Sequence, residues 1–242
     1  MRACIGCSMP CWSIYTVQSG KFKNLYSDSV NASTFKELGA RCGMHEMDAI
    51  LRAHDDLNRY GLDTISTPAV ISFAMECYQR GIITSQDCDG LELTWGNKDA
   101  IIPLIERIGK KQGFGAQLAG GVRACAQEWG ADAARYALHV KGLETVATDP
   151  RGQPSWGLGY ATSSRGACHM RAYGNFEYGG MDDASMIRIS GTTAIGERFG
   201  TTGKGNAGAF LEDMHAFGDS LGTCKFMTRA DLGFPEALVG VL

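Results

Sequence analysis

The placement of cysteine constrains this chain more than any other feature. Three thiols crowd into Cys4-Ile5-Gly6-Cys7-Ser8-Met9-Pro10-Cys11, and a candidate fourth, Cys224, stands near the other end in Asp219-Ser220-Leu221-Gly222-Thr223-Cys224-Lys225. Four thiolates are the ligand set of a [4Fe–4S] cluster, and a close trio with one distant partner is a common way to supply them. Such a set ties both ends of the chain to one centre. Structural zinc takes the same four thiolates without redox chemistry, although its ligands usually come as two separated pairs, and unbound thiols are the third alternative. Gly6 permits an unusual turn between the first two thiols, and Pro10 fixes φ just before the third.

The remaining cysteines, Cys42, Cys77, Cys88, Cys125 and Cys168, read as small buried hydrophobes. The total of nine is odd, and the N-terminus lacks the basic and apolar regions of a secretory signal. A disulfide framework is therefore not expected, and a reducing, cytoplasmic location is. A net charge of −3 without runs of like charge argues against nucleic acid as a partner. No apolar run approaches the length of a membrane span. With 44% hydrophobic residues over 242 positions, the chain can bury a real core. Its 32 glycines imply many tight turns or close approaches of backbone to something bulky, such as a cofactor.

Periodicity predicts a mainly α, multihelical fold with a loop-rich second half. Residues 43–60 carry Met44, Met47, Ile50, Leu51, Leu57 and Tyr60 on one face, with Gly61 as the glycine that stops the helix. Thr67 and Pro68 are expected to open a second helix that ends at Gly81. A third is expected to begin with Asp99 as its cap, and a fourth to cover 116–129 despite Gly120 and Gly121. Glycine, proline and turn residues then dominate, and helix is expected to return only at 207–221. Two domains are drawn, 1–135 with the thiol trio and 136–242 with Cys224.

Several segments, in order, carry a resemblance: the cysteine trio, Tyr60-Gly61-Leu62-Asp63-Thr64-Ile65-Ser66-Thr67, Ala74-Met75-Glu76-Cys77-Tyr78, Asp89-Gly90-Leu91-Glu92-Leu93, Trp95-Gly96-Asn97, His139 to Glu144, Gly157 to Ser163, and Arg165-Gly166-Ala167-Cys168-His169. Together they resemble the tungsten-containing aldehyde ferredoxin oxidoreductase family, in its second and third domains. The resemblance implies tungsten, or molybdenum, held by two pterins, and a nearby [4Fe–4S] cluster that passes electrons to ferredoxin. Cys4, Cys7, Cys11 and Cys224 match the family's cluster ligands. Two pterin-binding motifs of the form D-x-x-G-L-(C/D) are matched by Asn58 to Asp63 and Asp219 to Cys224. The implied cofactor contacts are Asn58, Gly61, Leu62 and Asp63 at the first, and Asp219, Gly222, Thr223 and Lys225 at the second. His169 matches a histidine near the tungsten, suited to proton transfer as an aldehyde becomes an acid. His45, His54, His139 and His215 read as structural or surface residues.

The chain departs from the family pattern in three places. Asn58 stands where aspartate is usual, so that motif offers an amide oxygen but no charge. Thr223 replaces leucine in the other. Ser33 occupies the position of an acidic residue near the metal, and a serine hydroxyl is no general base at neutral pH. The chain also opens almost on the cluster ligands. It is expected to be a core fragment, a subunit needing a separate N-terminal domain, or a truncated inactive form; an iron–sulfur electron-transfer module is the alternative function.

Overall fold

Apolar residues at three- and four-residue spacing become helix α2, Met47–Arg59, in the computed structural model, which describes residues 2–228 except 8, 9, 29, 173 and 180. Residues 43–46 stay outside that helix. Gly43 has φ +76°, and Gly96 lies so close that a Cβ on it would meet the Gly43 carbonyl oxygen at 2.6 Å. The helix therefore starts late, because this backbone contact holds Gly43 in the left-handed region.

The chain divides into two compact units, Met1–Ala147 and Thr148–Leu242. The first opens with the antiparallel pair β1 (Ile14–Thr16) and β2 (Tyr26–Asp28). Helix α1 (Ala32–Thr34) runs into a π-helical stretch, Phe35–Arg41. After α2 come α3 (Ser66–Gln79), α4 (Lys98–Lys110), α5 (Phe114–Leu118), α6 (Gly121–Trp129) and α7 (Ala131–Ala134). A small hairpin, β3 (His139–Val140) with β4 (Leu143–Glu144), completes the unit. Leu38, Leu57, Ile71, Met75, Ile101, Leu104, Ile105 and Leu118 are fully buried in its core. Each contributes roughly 1.5–3 kcal/mol of transfer free energy. Phe73 and Phe114 both stack on Trp129, with ring centroids 5.4 and 6.0 Å away.

Capping shifted three helix starts from their expected places. The Asp63 carboxylate, not Thr67, caps α3 by accepting from the Ile65 and Ser66 N–H groups at 2.8 and 2.6 Å. Asn97 caps α4, which leaves Asp99 free to pair with Lys21. The stretch expected as one helix over 116–129 is two, broken where Gly121 takes φ +80° and Val122 N–H donates to the Glu144 carboxylate. That bond, with Arg41 donating to the Thr145 carbonyl at 2.7 Å, attaches the hairpin to the first unit. The division of the chain thus falls after Ala147, whereas sequence texture placed it at 135/136.

The second unit contains α8 (Pro154–Thr162), α9 (Asp183–Ser190), α10 (Lys204–Ser220) and α11 (Lys225–Thr228), with 3-10 turns at Asn175–Tyr178 and Thr193–Gly196. Helices α8 and α9 form where the sequence reads as loop. In α8 the glycines serve packing, since a Cβ on Gly159 would sit 3.0 Å from the Ala172 Cβ. The small core is Phe176, Ile189, Ile195, Ala207 and Leu211. Beside it the buried Glu177 carboxylate pairs with Lys204 and accepts from Ser155 N–H and Oγ–H at 3.0 and 2.8 Å, which fixes the start of α8. The tail 229–242, assigned from sequence to the second domain, lies outside the described residues. Among the described residues no helix is long and apolar enough to cross a membrane.

Candidate functional site

The nine cysteines fall into two environments. Cys42, Cys77, Cys88, Cys125 and Cys168 are buried, and burial pushes the Cys42, Cys88 and Cys125 thiols up to about 12 and Cys77 to about 11. Those four are poor sources of thiolate. Cys4, Cys11 and Cys224 are exposed and Cys7 is half-buried. The trio sits in a loop closed by reciprocal bonds between Arg2 and Trp12, at 2.7 and 3.0 Å. Inside it, Cys7 N–H donates to the Cys4 carbonyl, and Gly6 supplies φ +76°. The donor set thus fits a cluster in chemistry and access. Among the described residues no three His, Cys, Asp or Glu side chains are gathered into a group able to hold a metal ion.

Both glycine motifs are helix ends of one design. At the close of α2, Gly61 N–H donates to Asn58 C=O at 3.1 Å and Leu62 N–H to Leu57 C=O at 2.9 Å. At the close of α10, Gly222 N–H donates to Asp219 C=O and Thr223 N–H to Gly218 C=O, each at 3.0 Å. This pair of bonds is the Schellman turn, with glycine at its left-handed position, φ +65° and +69°. A Cβ on either glycine would meet nothing within 4 Å, so the backbone there is open to a flat ligand. Helix α3 ends in the same turn, with Gly81 N–H to Tyr78 C=O and Ile82 N–H to Cys77 C=O. Turn geometry alone is therefore not the site. What distinguishes the two motifs is an exposed amide or carboxylate, Asn58 or Asp219, where α3 has Tyr78.

The polar residues of the motifs are differently engaged. Asp63, expected among the first motif's contacts, already spends one carboxylate oxygen on capping α3. Asn58 Nδ2 lies 3.0 Å from His54 Nε2, leaving its amide oxygen as acceptor. Asp219 accepts from Lys225 Nζ through Oδ1 at 2.6 Å and from Arg171 Nη1 through Oδ2 at 3.0 Å. Lys225, then Arg171, hold its carboxyl below the usual carboxylate range. Each oxygen keeps a second lone pair for a ring donor.

His54, read from the sequence as structural or surface, is buried beside Asn58, while Glu37 was not singled out by the sequence. His54 is buried, which lowers its pKa and keeps the ring neutral. It joins Asn58 to Thr34 Oγ1, 3.2 Å from Nδ1, and so to the turn that carries half-buried Ser33. One turn after Ser33, the buried Glu37 carboxyl lies 2.8 Å from Arg41 and accepts from Ala147 N–H at 2.6 Å. Burial pushes it up to about 7 against the pull of Arg41. An acid directly before Leu38-Gly39 was visible in the sequence only as a charge in a polar stretch; the π-helical backbone that turns it inward was not.

In the second unit, half-buried His169 stacks on Trp156 of α8, with ring centroids 6.1 Å apart and planes 9° from parallel. The stacking fixes the imidazole plane. Cys4, Cys7, Cys11 and the Asn58 motif belong to the first unit, and His169, Asp219 and Cys224 to the second.

Comparison with known proteins places these features in context. The family model described as aldehyde ferredoxin oxidoreductase, domains 2 and 3, matches residues 1–242. The tungsten-containing aldehyde ferredoxin oxidoreductase of Pyrococcus furiosus is 36% identical over 174 residues, covering 71% of this chain and 28% of the relative. An aliphatic sulfonate oxidoreductase, WOR-like subunit, from the same organism is 30% identical over 230 residues, 93% of this chain and 32% of the relative. Among solved structures, the active site complex BamBC of benzoyl coenzyme A reductase, bound to 1,5-dienoyl-CoA, is similar with a TM-score of 0.56 and 27% identity. That match covers 67% of this chain and 24% of the other. The chain thus spans a third or less of the length of these relatives.

Proposed function

The chain belongs to the aldehyde ferredoxin oxidoreductase family, and from that premise we propose that it forms the core of a tungstopterin, iron–sulfur oxidoreductase that converts an aldehyde to a carboxylic acid. The net half-reaction is aldehyde plus water to acid, two protons and two electrons, with ferredoxin as the electron acceptor. The observation that carries the reading is the matched pair of helix ends, which present one open glycine and one ring-binding side chain each.

In this reading Asn58, Gly61 and Leu62 hold one pterin, with Asp63 shaping the turn that follows. Asp219, Gly222, Thr223 and Lys225 hold the other, and Cys4, Cys7, Cys11 and Cys224 hold the cluster. When bound, the metal cofactor supplies a Lewis acid and a two-electron sink, and the cluster a one-electron relay. The chain's own residues orient and move protons. Asp219 and Asn58 accept from ring N–H groups, while the backbone at Gly61 and Gly222 allows close approach. His169, with its plane set by Trp156, takes up or returns one of the two protons that the oxidation releases. Ser33 supplies no carboxylate, and this reading gives the proton-handling role to His169. The cytoplasm, as a reducing compartment, suits the exposed thiols.

Metal and pterin analysis of protein purified without oxygen, together with any chain that co-purifies, tests this. Tungsten or molybdenum, pterin, iron and sulfide are expected. Iron and sulfide without tungsten, molybdenum or pterin would defeat the catalytic reading and leave an electron-transfer module. In the loaded protein, His169→Asn is expected to lower aldehyde turnover by about 10²-fold with the metal content unchanged.

A further inference from the structure

We propose that Arg171 is a positioning residue that couples the second glycine motif to His169. Two groups one turn apart on α10 grip it. His215, 1% exposed, donates from Nδ1–H to the Arg171 backbone carbonyl at 2.8 Å. Asp219 accepts from the Arg171 guanidinium at 3.0 Å. Burial lowers the His215 pKa, so its ring is the neutral donor. Lys225 closes the arrangement, donating to the Asp219 carboxylate and to the His215 carbonyl at 2.6 and 3.0 Å. The segment carrying His169 is therefore held at two points, by Trp156 stacked on the imidazole and by α10 two residues later.

The consequence follows from the atoms shared. The Asp219 oxygens that bind Arg171 and Lys225 are the same ones a pterin ring donor would engage. A ligand at the motif must share Oδ2 with the guanidinium or Oδ1 with the ammonium. Filling the motif loads the contact that places His169. Charge-assisted bonds of this kind are the stronger class, and the guanidinium is about one-third exposed, so exchange of partners at Asp219 needs no opening of the core. The inference deepens the proposed role of His169, but its test reads the position of that ring rather than turnover.

The experiment is NMR of the isotope-labelled full chain. In the wild type, the Trp156 ring current shifts the His169 ring protons. In Arg171→Gln that shift is expected to collapse toward the value of free imidazole, and amide exchange over 166–170 to accelerate about tenfold. Arg171→Lys is expected to restore most of the shift, and Asp219→Asn to reproduce the Gln variant. The double variant Arg171→Gln/Asp219→Asn is expected to shift His169 no further than Asp219→Asn alone, because that change already disrupts the side-chain contact that Arg171→Gln removes. A wild-type His169 signal in Arg171→Gln, no recovery with Lys, or additive effects in the double variant would overturn the coupling. Should Arg171→Gln fail to fold, Asp219→Asn, at an exposed helix end, carries the same test. Absence of tungsten, molybdenum and pterin would sink the catalytic reading and leave this result standing.

Discussion

The Glu37 carboxylate and the Ala147 backbone N–H meet at 2.6 Å across most of the first unit's sequence. Arg41 extends the contact, touching Glu37 at 2.8 Å and the Thr145 carbonyl at 2.7 Å. A π-helical turn and the strand-end that follows β4 are thereby held by one buried acid. Its proton is more tightly bound in the folded chain, at about 7, than when unfolded, near 4.5. Glu37 therefore supports folding most at pH below 4.5, and that support is lost as pH rises through 7. Glu37→Gln removes the dependence. Denaturant titrations are expected to show the variant gaining on the wild type by up to about 3 kcal/mol between pH 4.5 and 7; parallel pH profiles would contradict it.

Among the described residues, α2, α3 and α10 share one pair of turn bonds around a left-handed glycine with no atom near its missing Cβ, yet of these three only α2 and α10 carry an exposed amide or carboxylate there. Alanine at Gly61, Gly81 or Gly222 is expected to cost each about 1 kcal/mol in unfolding experiments. Pterin content should fall for Gly61→Ala and Gly222→Ala but not for Gly81→Ala. Equal retention of pterin in all three would remove the glycines from the ligand surface.

Serine at Cys4, Cys7, Cys11 or Cys224 is expected to lower iron and acid-labile sulfide in anaerobically purified protein to below about half. Serine at Cys125 or Cys88 is expected to leave them unchanged, because those thiols are buried and held protonated. Iron content insensitive to Cys224→Ser would sever the distant ligand from the trio.

Lys204 and Glu177 form a buried ion pair whose carboxylate also fixes the start of α8. Lys204→Met strands the negative charge and is expected to destabilise the second unit by about 3–5 kcal/mol. Pairing it with Glu177→Gln should recover part of that loss, since a neutral amide is cheaper to bury and can still accept from Ser155. A single-variant cost below 1 kcal/mol in urea unfolding would show that the pair is not buried in solution.

Much of the chain was legible from local chemistry. The amphipathic run into Gly61, the Thr67-Pro68 start region and the burial of Cys42, Cys77, Cys88, Cys125 and Cys168 all depend on local pattern, and local pattern survives folding. The less legible parts depended on partners remote in sequence. Glu144 on the hairpin takes the Val122 N–H where the expected 116–129 helix breaks, and Gly159 was tolerated in α8 because Ala172 packs against it. Asp182 at the start and Gly191 at the end of α9 were signals that could have been read.

For function, motif residues and their order were enough to name the family, and they mark the thiols, the glycine turns and His169 as candidates. Only packing supplied what those residues answer to: His54 against Asn58, Glu37 against Ala147, and His215 with Asp219 around Arg171. The physical reason is the same in each case. A side chain's type is local, but its burial, and the donor or acceptor that burial obliges it to find, are set by chain segments that meet only in the folded state.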